Sequence, residues 1–345
     1  MTLGIIDLGT NSIHLVVGIV GLDGRFHVLI KERELARLGL GGLAVGRLTK
    51  SAMRRAKKVL ARYKRILDRV GVDRIEAVAT SAVRDASNGK TFVRQIRKEL
   101  GLPLRIISGH EEARLIYLGV LQTAGLRGPT LMISLGGGSA EVMVGDGRQL
   151  RLAFCRPLGC ARLAEQFIHH DPPKPEEVEQ LQRAVWKAWR SVGSSVLRHR
   201  WKAVIGTSAT IQQLLVVATA RARGIRKVKE DSPAVSREDL KQLVMWLKTS
   251  TASMRKRLPG LDPKREDLAL PTGIALLEFM DACRVASIRH APGSLREGLV
   301  VDYLIRHHKR RSKPFETFEG MIAQNNRELT GSWRKRIMPV KSSEK

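Results

Sequence analysis

Residues 5–18 read Ile5-Ile6-Asp7-Leu8-Gly9-Thr10-Asn11-Ser12-Ile13-His14-Leu15-Val16-Val17-Gly18. Residues 132–145 read Met132-Ile133-Ser134-Leu135-Gly136-Gly137-Gly138-Ser139-Ala140-Glu141-Val142-Met143-Val144-Gly145. The two stretches stand at a constant offset of 127, and six of the paired positions are identical: Ile6/Ile133, Leu8/Leu135, Gly9/Gly136, Ser12/Ser139, Val17/Val144 and Gly18/Gly145. Each copy is an apolar strand, a tight turn of small residues and a second apolar strand. One such hairpin in each half predicts a duplicated α/β domain with a cleft between the copies. Gly9-Thr10-Asn11-Ser12 offers main-chain N–H groups, two hydroxyls and an amide. Gly136-Gly137-Gly138-Ser139 offers a backbone that can approach an anion closely, plus one hydroxyl. Taken singly, either stretch is more simply an ordinary hairpin turn.

The composition bounds what surrounds these turns. The chain has 345 residues, enough for two domains with their own cores, and 43% hydrophobic residues with only 4% aromatics, so aliphatic side chains must fill those cores. No apolar run approaches the roughly 18–20 residues that span a bilayer. The N-terminus runs straight into a strand with no basic leader, which points to a cytoplasmic protein. Cys155, Cys160 and Cys283 form no CxxC pair and read as free thiols. Lys and Arg number 61 against 33 Asp and Glu, a net charge of +28. A field of that sign attracts polyanions: nucleic acid, inorganic polyphosphate and highly phosphorylated nucleotides all qualify. No zinc-finger, homeodomain or RNA-recognition signature accompanies the charge, so specific nucleic-acid binding is not expected.

Strands are expected at 3–8, 13–20, 26–34, 75–79, 104–107, 131–135, 140–145, 149–156, 203–206 and 285–289. Helices are expected at 50–70, 88–100, 111–124, 160–169, 176–199, 207–222, 236–254, 264–283 and 294–307. Strands alternating with helices place the chain in the α/β class. Trp186 and Trp189, at i and i+3, read as core. His169-His170 and His307-His308 read as surface histidines. The tail from Arg306 carries 11 Lys and Arg against 4 Glu, with little apolar periodicity, and reads as disordered.

Six ordered motifs carry a family resemblance: residues 5–12; Ala79-Thr80-Ser81-Ala82-Val83-Arg84-Asp85-Ala86; Ile107-Ser108-Gly109-His110-Glu111-Glu112-Ala113-Arg114-Leu115; Gly136-Gly137-Gly138-Ser139-Ala140-Glu141; Gly206-Thr207-Ser208-Ala209-Thr210-Ile211; and Pro292-Gly293-Ser294-Leu295-Arg296-Glu297-Gly298. In this order, and from residue 3 to about 304, the chain resembles the exopolyphosphatase and guanosine pentaphosphate phosphohydrolase (Ppx/GppA) family in its short, two-domain form. The resemblance implies two duplicated actin-like (ribonuclease-H-like) domains of the actin, hexokinase and Hsp70 superfamily, at 1–125 and 126–305, with an interdomain cleft. The last helix would pack back on the first domain, and 306–345 would form a basic tail. Duplication and resemblance together favour phosphate for the paired turns.

The resemblance also implies roles. Gly9, Thr10, Asn11, Ser12, Gly136, Gly137, Gly138 and Ser139 would bind phosphate. Arg84, at the C-terminal end of a strand where open α/β sheets place ligands, would be a fork-shaped donor to it. Glu111 and Glu112 open a helix, where negative charge is favourable in itself. A zinc-protease motif would need His at 114, and the residue is Arg114. The resemblance puts the catalytic carboxylate at Glu112, as the general base that activates water. Superfamily members hold Mg²⁺ with an Asp before each turn. Here Asp7 is kept and Ser134 replaces its counterpart, so Mg²⁺ or Mn²⁺ would be held by Asp7 with Glu141 compensating, and more weakly. The Gly206–Ile211 loop is expected to be a helix cap, and the Leu295–Gly298 segment structural. The implied substrate is inorganic polyphosphate. Guanosine penta- and tetraphosphate (pppGpp and ppGpp) are the alternative ligands, a weakly active polyphosphate- or alarmone-binding protein is the non-enzymatic alternative, and a homodimer is an allowed assembly.

Overall fold

The computed structural model describes residues 1–21, 25–126, 128–147, 149–224 and 234–307. The first half contains strands β1 (Thr2–Leu8), β2 (Ile13–Val20) and β3 (Phe26–Glu34), helix α1 (Lys50–Val70), strand β4 (Arg74–Ala79), helices α2 (Ser81–Arg84) and α3 (Gly89–Leu100), strand β5 (Leu104–Ile106) and helix α4 (Gly109–Ala124). The second half contains β6 (Pro129–Leu135), β7 (Ala140–Asp146) and β8 (Gln149–Arg156), then α5 (Cys160–Phe167) and α6 (Pro175–Val196). There follow β9 (Ala203–Thr207), α7 (Ala209–Arg223), β10 (Val235–Ser236), α8 (Arg237–Thr249) and α9 (Ala252–Lys256). A 3-10 turn at Pro263–Leu268 leads into α10 (Ala269–Ala282), β11 (Ser287–His290) and α11 (Leu295–His307).

The duplication read from two hairpins extends to whole sheets. One sheet has the order β3-β2-β1-β4-β5 and the other β8-β7-β6-β9-β11-β10, so the first five strands match one for one. In each, the first three strands are antiparallel and the next two run parallel to the first. The irregularities repeat as well. The β2–β3 ladder slips between Val17 and Gly18, and the β7–β8 ladder between Val144 and Gly145, at the same offset of 127. A slip shared at equivalent positions is a built feature of both copies.

Local chemistry places the helices. Thr49 caps α1 by accepting the Ala52 N–H at 3.2 Å, and Gly71 ends it in the left-handed conformation, φ 68°. Ala52, Ala56, Leu60, Tyr63, Leu67 and Val70 form its buried stripe, and Tyr63 donates to the Ile13 carbonyl. Ser108 caps α4 through the Glu111 N–H.

Three apolar clusters hold the molecule. One lies between the first sheet and α1 and α3, including Leu8, Leu15, Leu60 and Ile96. A second lies over the second sheet against α6, α7, α8 and α10, including Val142, Trp189, Leu214 and Phe279. The third draws on both sheets: Ile5 and Val78 from one, Met132, Met143 and Ile205 from the other, with Tyr117 of α4 and Leu299 and Tyr303 of α11. Helices α4 and α11 therefore join the halves, and α11 also packs on β1. The two helices cross at glycine. A methyl on Gly298 would lie 1.8 Å from the Leu115 carbonyl oxygen, so no side chain fits there.

Several expectations need correction. Trp189 is fully buried, but Trp186 is 49% exposed, with Arg190 over its ring. The α6 helix ends at Val196, three residues early. The helix expected over 236–254 breaks at Ser250-Thr251, because Thr251 caps a new helix through the Met254 N–H. The helix expected from 264 begins as a 3-10 turn, since Asp262 caps it and Pro263 stands first. His169, His170 and His307 are exposed, as expected of surface histidines, with His170 bonded to Glu177 at 2.7 Å and His307 stacked on Tyr303. His308 and the tail beyond it lie outside the described residues. The three cysteines are unpaired. Among the described residues, no helix is long and apolar enough to cross a membrane.

Candidate active site

The two hairpin turns meet. A methyl on Gly138 would lie 2.5 Å from Thr10 Oγ1 and 2.6 Å from Ser81 Oγ, and one on Gly137 would lie 3.0 Å from Asn11 Cγ. At Gly138 a side chain would have to displace Thr10 or Ser81. The turns close identically: the Gly9 N–H donates to the Ser12 carbonyl at 3.1 Å, and the Gly136 N–H to the Ser139 carbonyl at 2.9 Å. In the second turn, α5 takes the carbonyls. The Cys160 N–H donates to the Gly136 carbonyl, the Ala161 and Arg162 N–H groups to the Gly137 carbonyl, and Arg162 Nε to the Gly138 carbonyl. A trans peptide points its C=O and N–H in opposite directions. Anchoring three carbonyls on α5 therefore aims the N–H groups of Gly137, Gly138 and Ser139 away from it. Among the described residues, the N–H groups of Thr10, Asn11, Gly137 and Gly138 have no hydrogen-bond partner. Unpaired N–H groups in turns of this kind are the donors that an anion can use. Thr10, Ser12 and Ser139 are buried at this junction.

Arg84 and Glu112 lie beside it. Arg84 ends α2, directly after β4, and Glu112 lies in the first turn of α4. Arg84 Nη1 donates to Glu112 Oε2 at 2.6 Å and to the Ile107 carbonyl at 3.3 Å. Its Nε lies 3.4 Å from Asp85, while among the described residues Nη2 has only the weak acceptor Cys155 Sγ at 3.6 Å. Glu112 is buried, and that burial raises its pKa despite the lowering effect of Arg84. Glu111 turns away to Arg105 at 2.7 Å, so the structure separates two adjacent carboxylates into an inward and an outward one.

Two more carboxylates face Glu112. Burial pushes Asp7 up to about 7, with Arg296 pulling it down and Glu112 and Glu297 pushing it further up. Burial pushes Glu141 up to about 8, with Glu112 raising it again and the Ser139 hydroxyl, the Cys155 thiol and Arg84 lowering it. Asp7 comes from the first sheet and Glu141 from the second, and both feel the charge of Glu112. The ladders explain the exchange of acids: Asp7 lies opposite His14, whereas Ser134 lies opposite Glu141. In the second half the carboxylate beside the turn therefore stands on β7, opposite Ser134.

Among the described residues, no three His, Cys, Asp or Glu side chains form a metal cage. Mg²⁺ does not need one, since it takes one or two carboxylates and fills its shell with water and phosphate oxygens. Asp7 accepts no hydrogen bond from another described side chain, and it and Glu141 are the kind of desolvated carboxylates that a cation relieves. The residues present fit a divalent ion held jointly by the two halves.

Three arginines at the cleft carry more than the sequence suggested. Arg296, expected to be structural, donates from Nη1 to His14 Nδ1 at 3.0 Å and sits close enough to lower Asp7. Burial, followed by Arg296, drives His14 down to about 2, so it is a neutral acceptor. Arg265 donates to Ser12 Oγ at 3.3 Å, and its buried Nε, 3.9 Å from Asp262, has no hydrogen-bond partner among the described residues. Arg162 spans the halves. Arg296 lay inside a quoted motif, whereas Arg162 and Arg265 stand in no pattern that marks them in a chain of 61 cations. At the Gly206–Ile211 loop, Ser208 caps α7 through the Ile211 N–H, as expected.

Comparison with known proteins identifies the family and the fold. The model of the Ppx/GppA phosphatase family matches residues 15–307. A Haemophilus influenzae protein provisionally named an exopolyphosphatase is 29% identical over 296 residues, covering 86% of this chain and 89% of its own. The crystal structure of an exopolyphosphatase from Cytophaga hutchinsonii is similar with a TM-score of 0.79 and 26% identity, covering 92% of this chain and 100% of that one. The Aquifex aeolicus member of the Ppx/GppA family is similar with a TM-score of 0.73 and 25% identity, over 90% and 99% of the two chains. The chain belongs to the Ppx/GppA phosphatase family and is a hydrolase.

Proposed function

We propose that this protein is an exopolyphosphatase that releases orthophosphate from the end of inorganic polyphosphate, with Glu112 as the general base. The observation that carries the reading is the position of Glu112. It is buried, raised in pKa, paired with Arg84, and close enough to Asp7 and Glu141 for its charge to raise both, in a fold whose two turns carry unpaired N–H groups. In this reading the lobes are residues 1–125 and 126–305, and the cleft between them is the active site.

The chemistry follows from the residues. Phosphoryl transfer depends on positioning and on neutralising the phosphoryl oxygens. The N–H groups of Thr10, Asn11, Gly137 and Gly138 hold the terminal phosphate, with Gly9, Ser12, Gly136 and Ser139 shaping the two turns. Arg84 turns its weakly engaged Nη2 to a phosphoryl oxygen. Glu112 accepts a proton from water as the water oxygen bonds to the terminal phosphorus. The bridging P–O bond breaks, and its electrons leave with the shortened chain. Mg²⁺ or Mn²⁺ bound by Asp7 and Glu141 would neutralise charge on the phosphate oxygens. The net charge of +28 attracts the polyanion to the cleft.

The test is phosphate release by the purified protein from polyphosphates of several lengths and from guanosine penta- and tetraphosphate, with Mg²⁺ and Mn²⁺ compared. The proposal expects polyphosphate to be the better substrate. Preference for guanosine pentaphosphate would reassign the substrate, and ligand binding without any release would reassign the protein as a binding module.

A further inference from the structure

Arg162 makes four side-chain hydrogen bonds at the junction of the halves. It lies in the first turn of α5, in the second half, and is 8% exposed. Its Nε donates to the Gly138 carbonyl at 2.8 Å, within its own half. The remaining bonds cross to the first half. Nη1 donates to the Leu43 carbonyl at 3.3 Å, and Nη2 to Ser81 Oγ at 3.3 Å and to Asp85 Oδ2 at 2.5 Å. Ser81 donates to the same Asp85 oxygen at 3.0 Å. The other Asp85 oxygen lies 3.4 Å from Arg84 Nε, and Arg84 grips Glu112. A continuous polar chain therefore runs from the second phosphate turn through Arg162, Asp85 and Arg84 to Glu112.

We propose that Arg162 is a positioning residue which, through Asp85, couples the seating of the Gly136–Ser139 turn to the orientation of Arg84 and Glu112. The inference rests on the hydrolase reading above. Arg162 does not bind substrate, because its guanidinium is spent on four protein acceptors, in contrast to Arg84, whose Nη2 has only a thiol. Its work is geometric. It fixes the direction of one turn and, across the cleft, the fork that sets the base. A misplacement on the order of 1 Å at a reacting centre costs about a hundredfold in rate. Neighbouring Glu165 of α5 shares the grip on the first half by accepting the N–H groups of Gly41 and Ala44. That second hold keeps the halves joined when Arg162 is changed.

The test measures kcat and KM for phosphate release by the wild-type protein and by R162Q, R162K, D85N and the R162Q/D85N double variant, each first shown to be folded by its thermal transition. Asp85 is about one-third exposed, so D85N tests the relay even if R162Q unfolds. R162Q should lower kcat about 10- to 100-fold and move KM by less than about threefold. D85N should lower kcat in the same way, and the double variant should be no worse than R162Q alone, because both changes cut one chain. R162K should recover part of the rate, since one ammonium can reach some of the acceptors but not all four. Effects of R162Q and D85N that multiply, or a raised KM at unchanged kcat, would overturn the proposal. E112Q measured alongside separates the two readings: phosphate release retained in E112Q defeats the base assignment, while a kcat-selective loss in R162Q would still stand. A wild-type protein inactive on every phosphoanhydride overturns both.

Discussion

Arg84 and Glu112 form an ion pair of 2.6 Å at the cleft, so the candidate phosphate donor and the candidate base are held by each other. Both side chains are largely shielded from water, so removing one partner costs far more than breaking a surface pair. The pair orients Glu112 and keeps its charged form accessible in a site whose burial favours the protonated one. Substrate must share Arg84 with Glu112 rather than displace it. R84A should therefore reduce kcat/KM by about 10²-fold or more, because it removes a phosphate donor and leaves a buried carboxylate unpaired. The sign of the pH effect is fixed. Arg84 lowers the Glu112 pKa, so its loss raises that pKa and moves the acid limb of the kcat/KM profile to higher pH. An acid limb that stays in place would show that Glu112 does not titrate in the rate.

The contact between the turns gives a second expectation. A methyl at Gly138 would press on Thr10 Oγ1, Ser81 Oγ and Ser81 Cβ at once. G138A should destabilise the protein by about 1–3 kcal/mol, the range for overpacking, and should lower phosphate release by far more than that loss of stability explains. Thermal unfolding together with phosphate release at a temperature where the variant stays folded checks both.

Ser134 and Glu141 are direct ladder partners, with Cβ atoms expected about 4.5–5.5 Å apart. S134D would put two carboxylates side by side in a buried place. Without metal they repel, and the variant should be less stable than the wild type. With Mg²⁺ the added charge should lower the half-saturating metal concentration and raise turnover. An Mg²⁺ titration of activity that matches the wild type would show that the ion does not sit between Asp7 and Glu141.

Much of this was legible in the sequence, for a physical reason. The paired hairpins repeat because the same backbone problem is solved twice, and the solution needs glycine at Gly9/Gly136 and a small hydroxyl at Ser12/Ser139. Topology and the ladder slips follow that repeat, whereas Glu112 is reached through the family resemblance and not through the repeat. The arginines were not legible. In a chain with 61 Lys and Arg, a buried cation looks like a surface one until its acceptors are seen, and those of Arg162 come from residues 119 and 77 positions away, Leu43 and Asp85. Trp186 misled because i, i+3 spacing marks a face without saying how wide the buried stripe is, and only Trp189 falls inside it.

The raised carboxylates make stability depend on pH. Asp7 and Glu141 stand at about 7 and about 8 in the folded protein and at ordinary values near 3.8 and 4.5 when unfolded. The folded state then holds protons that the unfolded chain has released, so their contribution is fully present below about pH 4 and is lost as pH rises through 7 to 8. His14 and His290, held neutral by burial, act in the opposite sense, but only below about 6.5. Between pH 6.5 and 8.5 the metal-free protein should therefore melt at a falling temperature. The increment from saturating Mg²⁺ should grow over the same range, as the ion replaces those protons. A D7N/E141Q variant should show neither trend, and a wild-type curve that rises with pH would contradict the assignment.

E112Q keeps the size and most of the hydrogen-bonding reach of Glu112 but cannot take a proton at neutral pH. Phosphate release from polyphosphate by E112Q and wild type, measured beside the affinity of each for the same polymer, separates catalysis from binding. Release should fall by about 10²- to 10⁴-fold, the contribution of a general base, with affinity within a few-fold of wild type. Release that persists at the wild-type rate, or a loss explained wholly by weaker binding, would contradict the role of Glu112 as the residue that activates water.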